Sequence, residues 1–332
     1  MTTEPGHSRA LVDRATEAIG AALRAGASVD AVASGARELA ALAEHATPDD
    51  AVAHAGYHGL LYELHERHDP ATYAVRRFLC QPAYEVEEAR ILRARAHDPS
   101  FDVPEATSAA LRERLVAAQE RRSGLRHPMS AHLFEGRPSH RDVLVYLEHH
   151  WFRSRGFHRE LTELSLSLPP AEACRVVANL HEELGEGRPG RAHPELLQRL
   201  LRHMGVPCEH EHRPAWPEAW AYLNNRVRCA RSREPAWALA VVFSLEHGTP
   251  ATHGSIHALL QRMGMPEPLL EFHRIHMLGD AAHAEAFMQQ IERLVVTRHA
   301  RHVLLCSLDH HRALGLRYFD RIWREIQRQE AP

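Results

Sequence analysis

The stretch that decides how this chain is read is "HRIHMLGDAAHAEAF", residues 273–287. Four of its fifteen residues are Ala, it holds no proline, and it repeats its chemically distinctive residues at spacings of three and four, so it reads as helix. On a helix turning 100° per residue, His276, Asp280 and His283 fall within about 60° of one another and can face one ion. Chance has to be weighed, because the chain carries 28 histidines and 43 acids. At those frequencies about 0.3 matches to His-x3-acid-x2-His are expected at random, so the pattern acquires meaning only from its surroundings.

Outward from that helix the pattern continues. Ala, Leu, Arg and Glu dominate, lysine is absent, and apolar residues recur every three or four positions. The expected class is all-α. Proline and glycine punctuation divides the chain into helices expected at 29–45, 49–67, 71–80, 83–97, 107–132, 139–168, 171–184, 235–262 and 268–296, among others. The proline-bearing segment 95–108 reads as a linker, dividing an accessory helical region over 1–104 from a larger helical domain over 105–332. The first region has small, Ala-rich faces suited to close helix packing or to a homodimer contact.

Composition excludes several classes. A net charge of −3 and a pI near 6.9, with acids and arginines interspersed, leave no basic stripe for nucleic acid. No apolar run is long enough to cross a bilayer and the first 20 residues lack the features of a signal peptide, so a cytoplasmic protein is expected. Five cysteines with no C-x-x-C pair indicate neither a disulfide framework nor a zinc ribbon.

Further metal-ligand candidates lie on other helices. Glu246 sits in the largely apolar run "WALAVVFSLEHG", where a carboxylate needs a partner. In "HEELGEGRPGRAHPELL" a helix ends at the first glycine and another begins at His193-Pro194, which brings Glu183 and His193 to adjacent helix ends. Glu160 and Glu163 share a helix with aromatic residues, and either is a candidate to point inward. Carboxylates and imidazoles without thiolate suit iron or manganese, and their number suits two metals. Arg226 and Arg228 read as exposed helical arginines, with a substrate carboxylate as the alternative partner.

Three of these blocks, in this order, resemble one known family, the heme-oxygenase-like diiron oxidases and oxygenases. They are "NLHEELGEGRPGRAHPELL", "VVFSLE" and "EFHRIHMLGDAAH", within about residues 107–325. The resemblance implies a heme-oxygenase-like helical bundle carrying an additional N-terminal helical region. It implies His193, Glu246, His276, Asp280 and His283 as ligands of two Fe(II) ions. Glu183 would be a flexible carboxylate that joins during reaction with O2, the co-substrate, and Glu160 the bridging acid, with Glu163 as its competitor. The implied activity is that of a non-haem diiron oxygenase, most naturally N-oxygenating a small amine or amino acid in specialised metabolite biosynthesis, with an external electron donor. Oxidative C–C cleavage or desaturation of an amino acid or fatty acid is the alternative within the family. A metal-free binding protein or hydrolase on the same fold is the alternative outside it.

Overall fold

The computed structural model describes residues 5–67, 69–103, 108–121 and 123–328. The helices run in the order α1 Pro5–Ala22, α2 Val29–His45, α3 Ala51–Glu66, α4 Tyr73–Arg93, α5 Ser108–Arg121, α6 Pro128–Ser130, α7 His140–Ser154, α8 Phe157–Ser167, α9 Pro170–Glu183, α10 His193–His203, α11 Pro217–Arg231, α12 Pro235–Arg262, α13 Glu271–Leu294 and α14 Arg298–Gln327. No strand occurs among the described residues. Many starts carry the cap their sequence dictates: the Ser28, Asp50 and Thr297 side chains accept backbone N–H groups, and Ser139 with Asp142 forms a capping box.

Expected helices differ from those found in three places. The one expected over 107–132 ends at Arg121, and the helix-breaking Gly124 and Pro128 follow in the 3-10 turn Gly124–Arg126 and the three-residue α6. The helix expected over 139–168 is two helices, α7 and α8, with Gly156 between them. Glycine is a weak helix former, and the Arg155 guanidinium beside it turns to the His212 carbonyl at 2.8 Å. Conversely, 71–80 and 83–97 merge into α4 despite Pro82. Proline denies a donor to the Phe78 carbonyl, and Phe78 is exposed, so the loss falls on the solvent side. The boundary expected between residues 104 and 105 lies outside the described residues.

The chain divides into two compact units, Met1–Asp98 with Ala215–Arg228, and Pro99–Pro214 with Cys229–Pro332. The first has a core of Leu11, Ala15, Leu39, Leu42, Tyr57, Leu61, Leu79 and Ala83. Its small residues allow close packing: a Cβ added to Gly35 would lie 2.8 Å from Leu79 Cδ2 and 3.2 Å from the Ala18 carbonyl. The segment from α11 enters this unit through polar side chains. Asn224 donates to the His58 carbonyl at 2.8 Å, and Arg228 reaches Glu88 at 3.0 Å and Asn225 at 2.8 Å.

In the second unit α12 and α13 pack against each other, joined by a short connection that contains the 3-10 turn Glu267–Leu269. Helix α5 is fastened to both: Gln119 exchanges hydrogen bonds with Ser244 of α12, donating to its carbonyl at 2.7 Å, and Arg112 pairs with Glu285 and Glu292 of α13.

Candidate metal centre

Six side chains from four helices meet inside the second unit. From α13 come His276, Asp280 and His283 at i, i+4 and i+7, one helical face. From α12 comes Glu246, almost fully buried at the end of the run Ala236–Ser244. Pro250, four residues beyond, withholds the N–H that would close the helix onto the Glu246 carbonyl, so the helix is loosened at the residue it presents.

Glu183 and His193 are placed by the turn between α9 and α10. Gly185, Gly187 and Gly190 all have φ near +70° (69°, 73° and 75°), which L-residues avoid. At Gly185 the demand is steric as well, because a Cβ would collide with the Arg191 backbone and sit 2.7 Å from the Ala192 nitrogen. The chain thus returns on itself and starts α10 at His193, with Pro194 at the opening of the helix. His193 Nδ1 ends 3.0 Å from Glu183 Oε2.

The donors form two groups, Glu183 with His193 and His276, and Glu246 with Asp280 and His283; in each, one ligand atom per residue lies within 4.8 Å of the others. The groups adjoin, His276 Nδ1 lying 2.8 Å from Asp280 Oδ2. The buried Nδ1 atoms of His193 and His283 have no hydrogen-bond partner of acceptable geometry, although Glu183 is 3.0 Å from the first and Glu246 3.6 Å from the second. Buried imidazole nitrogens that face carboxylates without completing a hydrogen bond suit a metal better than a finished hydrogen-bonded core. The donor set fits ferrous iron: three imidazoles and three carboxylates, with no thiolate.

Electrostatics couple the six. Burial raises the Glu246 carboxyl to about 7, against the pull of His283. Burial opposes charging His276, but Asp280, Glu183 and Glu246 outweigh it and raise its pKa to about 9; His283 is raised to about 9 in the same way by Glu246, Asp280 and Glu182. Burial likewise disfavours the Glu183 carboxylate, yet His193, His276 and His283 hold it below its ordinary range. Such a set binds a cation in exchange for protons.

Of the seven expected ligands, Glu183, His193, Glu246, His276, Asp280 and His283 are therefore brought together. Glu160 is buried on α8 but belongs to neither donor group, and Glu163, one turn on, is held by Arg231 at 2.9 Å. Arg226 and Arg228 are buried, correcting their reading as exposed; Arg228 holds the Glu88 carboxylate within the first unit. One supporting residue escaped the sequence reading: Asn179, a turn before Glu183 on α9, donates to Glu246 Oε1 at 2.7 Å. Its only trace is the i, i+4 spacing to Glu183, and asparagine in a helix carries no metal signature.

Several solved structures share the architecture, two crystal structures among them. One is a domain of unknown function with a heme oxygenase-like fold from Shewanella denitrificans, 15% identical, with a TM-score of 0.55 over 68% of this chain and 96% of that one. The other is a CadD-like protein of unknown function from Nostoc punctiforme, 13% identical, with a TM-score of 0.55 over 68% of this chain and 98% of that one. At these identities they show the fold alone, which is heme-oxygenase-like. No curated protein matches the chain. No helix among the described residues is long and apolar enough to cross a membrane. Residues 3–90 match the family model of haem-oxygenase-associated N-terminal helices. Residues 144–313, just over half the chain and including all six converging donors, match the model of the iron-containing redox enzymes, and the chain belongs to that family.

Proposed function

We propose that the protein is a non-haem diiron oxygenase that N-oxygenates a small amine or amino acid. The observation that carries the two-iron reading is the pair of adjoining three-donor groups on a shared helix face. Glu183, His193 and His276 would hold one Fe(II), and Glu246, Asp280 and His283 the other. Bound there, the pair supplies the two-electron reduction of O2 that no side chain can perform.

The protein's own part is orientation, charge and exclusion of water. Asn179 fixes Glu246 by its Oε1, leaving Oε2 on the side of His283. Phe272 packs edge-on against His276 and His193, with ring centroids 4.6 Å and 6.3 Å away, and shields that side from water. Val242 and Phe243, the turn before Glu246, are buried and dry the approach along α12. Glu183 is the last residue of its helix, directly before the glycine turn, where the backbone is no longer held by further helical hydrogen bonds. The amine assignment rests on the coexistence of a full donor set with the extra N-terminal helical region.

The test is anaerobic ferrous titration followed by an O2 pulse with a panel of amines, amino acids and fatty acids. Two irons per chain, and an amine product heavier by one oxygen atom from O2, support the reading. A shortened or desaturated carbon chain moves the assignment to C–C cleavage or desaturation. Failure to retain iron overturns it.

A further inference from the structure

Helices α12 and α13 offer donors a second time. On α12 His253 follows Glu246 by seven residues, and on α13 His273 precedes Asp280 by seven. Seven residues are about two helical turns, so each histidine stands on the same face as the ligand it accompanies, about 10 Å along the axis. The two helices run in opposite directions, so these displacements bring His253 and His273 together, as Glu246 and Asp280 are brought together. His150 of α7 completes a third group. The three residues are 4%, 5% and 0% exposed, and one nitrogen of each lies within 4.8 Å of the others.

We propose that His150, His253 and His273 bind a third metal ion, of the kind that accepts imidazole alone, such as zinc. The Nδ1 atoms of His253 and His273 are 3.3 Å apart, which is about the edge of a tetrahedron with metal–nitrogen bonds of about 2.05 Å. The rings are disposed around a point: His150 lies 5.2 Å from His253 at 65° and 5.5 Å from His273 at 29°.

A purely hydrogen-bonded histidine core accounts for this cluster less well. The Nε2 atom of His150 is buried without a partner, and an unsatisfied buried polar atom costs about 1–3 kcal/mol. The other nitrogen of His150 has only the Arg153 guanidinium at 3.4 Å, a contact at the limit of hydrogen bonding. Burial holds all three imidazoles neutral, the form that ligates. With no carboxylate in the group, zinc or copper is favoured over ferrous iron.

The experiment counts Zn2+ retained by the metal-free full chain after equilibrium dialysis, for the wild type, His150→Gln and His273→Gln, with zinc X-ray absorption on a Glu183→Gln/Glu246→Gln double variant. The expected result is one ion fewer in each histidine variant than in the wild type, and a shell of three imidazole nitrogens with one water oxygen around the ion the double variant keeps. A folded double variant that keeps no zinc overturns the proposal whatever the wild type retains. So do folded histidine variants that retain the wild-type count, or a shell with fewer than three imidazoles in the double variant. The double variant lacks donors from both groups of the six-donor site, so failure here is distinguishable from failure of the diiron reading.

Discussion

Asn179 donates to one oxygen of a buried carboxylate whose other oxygen faces His283, and removing that donor leaves Glu246 free to turn from the ion it would hold. Asn179→Ala is expected to weaken ferrous binding about 10- to 100-fold while the helical content stays unchanged; a chelator competition that finds wild-type affinity removes Asn179 from the supporting shell. Glu160→Gln, by contrast, is expected to retain the wild-type iron count, because Glu160 stands in neither donor group; loss of an iron would restore it as the bridging acid. His276, Asp280 and His283 were legible because a helix converts their spacing directly into a shared face. Asn179 was not, because what makes it matter is a partner 67 residues away.

At the scale of the element, the turn between α9 and α10 was readable from its glycines, since a helix stop and a proline-led start leave few paths between Glu183 and His193. Gly185 meets two demands, a positive φ and the absence of a Cβ, whereas Gly187 has only the first. Gly185→Ala is therefore expected to cost about 1–3 kcal/mol and to weaken iron retention. Gly187→Ala should cost about 1 kcal/mol with binding largely preserved. Urea midpoints and iron counts on the two variants test this, and equal effects would show that backbone conformation alone matters. The break between α7 and α8 was hidden, because apolar periodicity continues across Gly156 and what turns Arg155 away is the distant His212 carbonyl.

For the whole molecule, the return of α11 to the N-terminal helices was invisible, because Arg228 and Glu88 lie 140 residues apart and each resembles a surface charge in its own helix. Arg228 is fully buried between Glu88 and Glu87, so Arg228→Ala strands two acids and is expected to destabilise by about 3–5 kcal/mol in thermal or urea unfolding. The chain's wealth of histidine sets its response to acid. Burial, aided by Arg153 and Arg321, lowers His149 to about 3, and its ring accepts or donates a bond with the Tyr318 hydroxyl at 2.7 Å. An imidazole whose folded pKa lies below the unfolded value near 6.5 takes up its proton only on unfolding, so its share of stability is present above pH 6.5 and declines as pH falls towards 3. His150, His253 and His273 are lowered by burial and act in the same direction. His276 and His283, raised to about 9, contribute fully below pH 6.5 and do not change the slope there. Glu246, raised to about 7, opposes one histidine between pH 7 and 4.5, and below 4.5 the lowered Glu183 adds its own loss. The clean window is thus pH 6 to 4.5 in metal-free protein. There His149→Gln, which keeps a polar partner for Tyr318, should flatten the decline by up to one proton, about 1.4 kcal/mol per pH unit. Parallel curves for variant and wild type would mean that His149 is protonated in the folded chain.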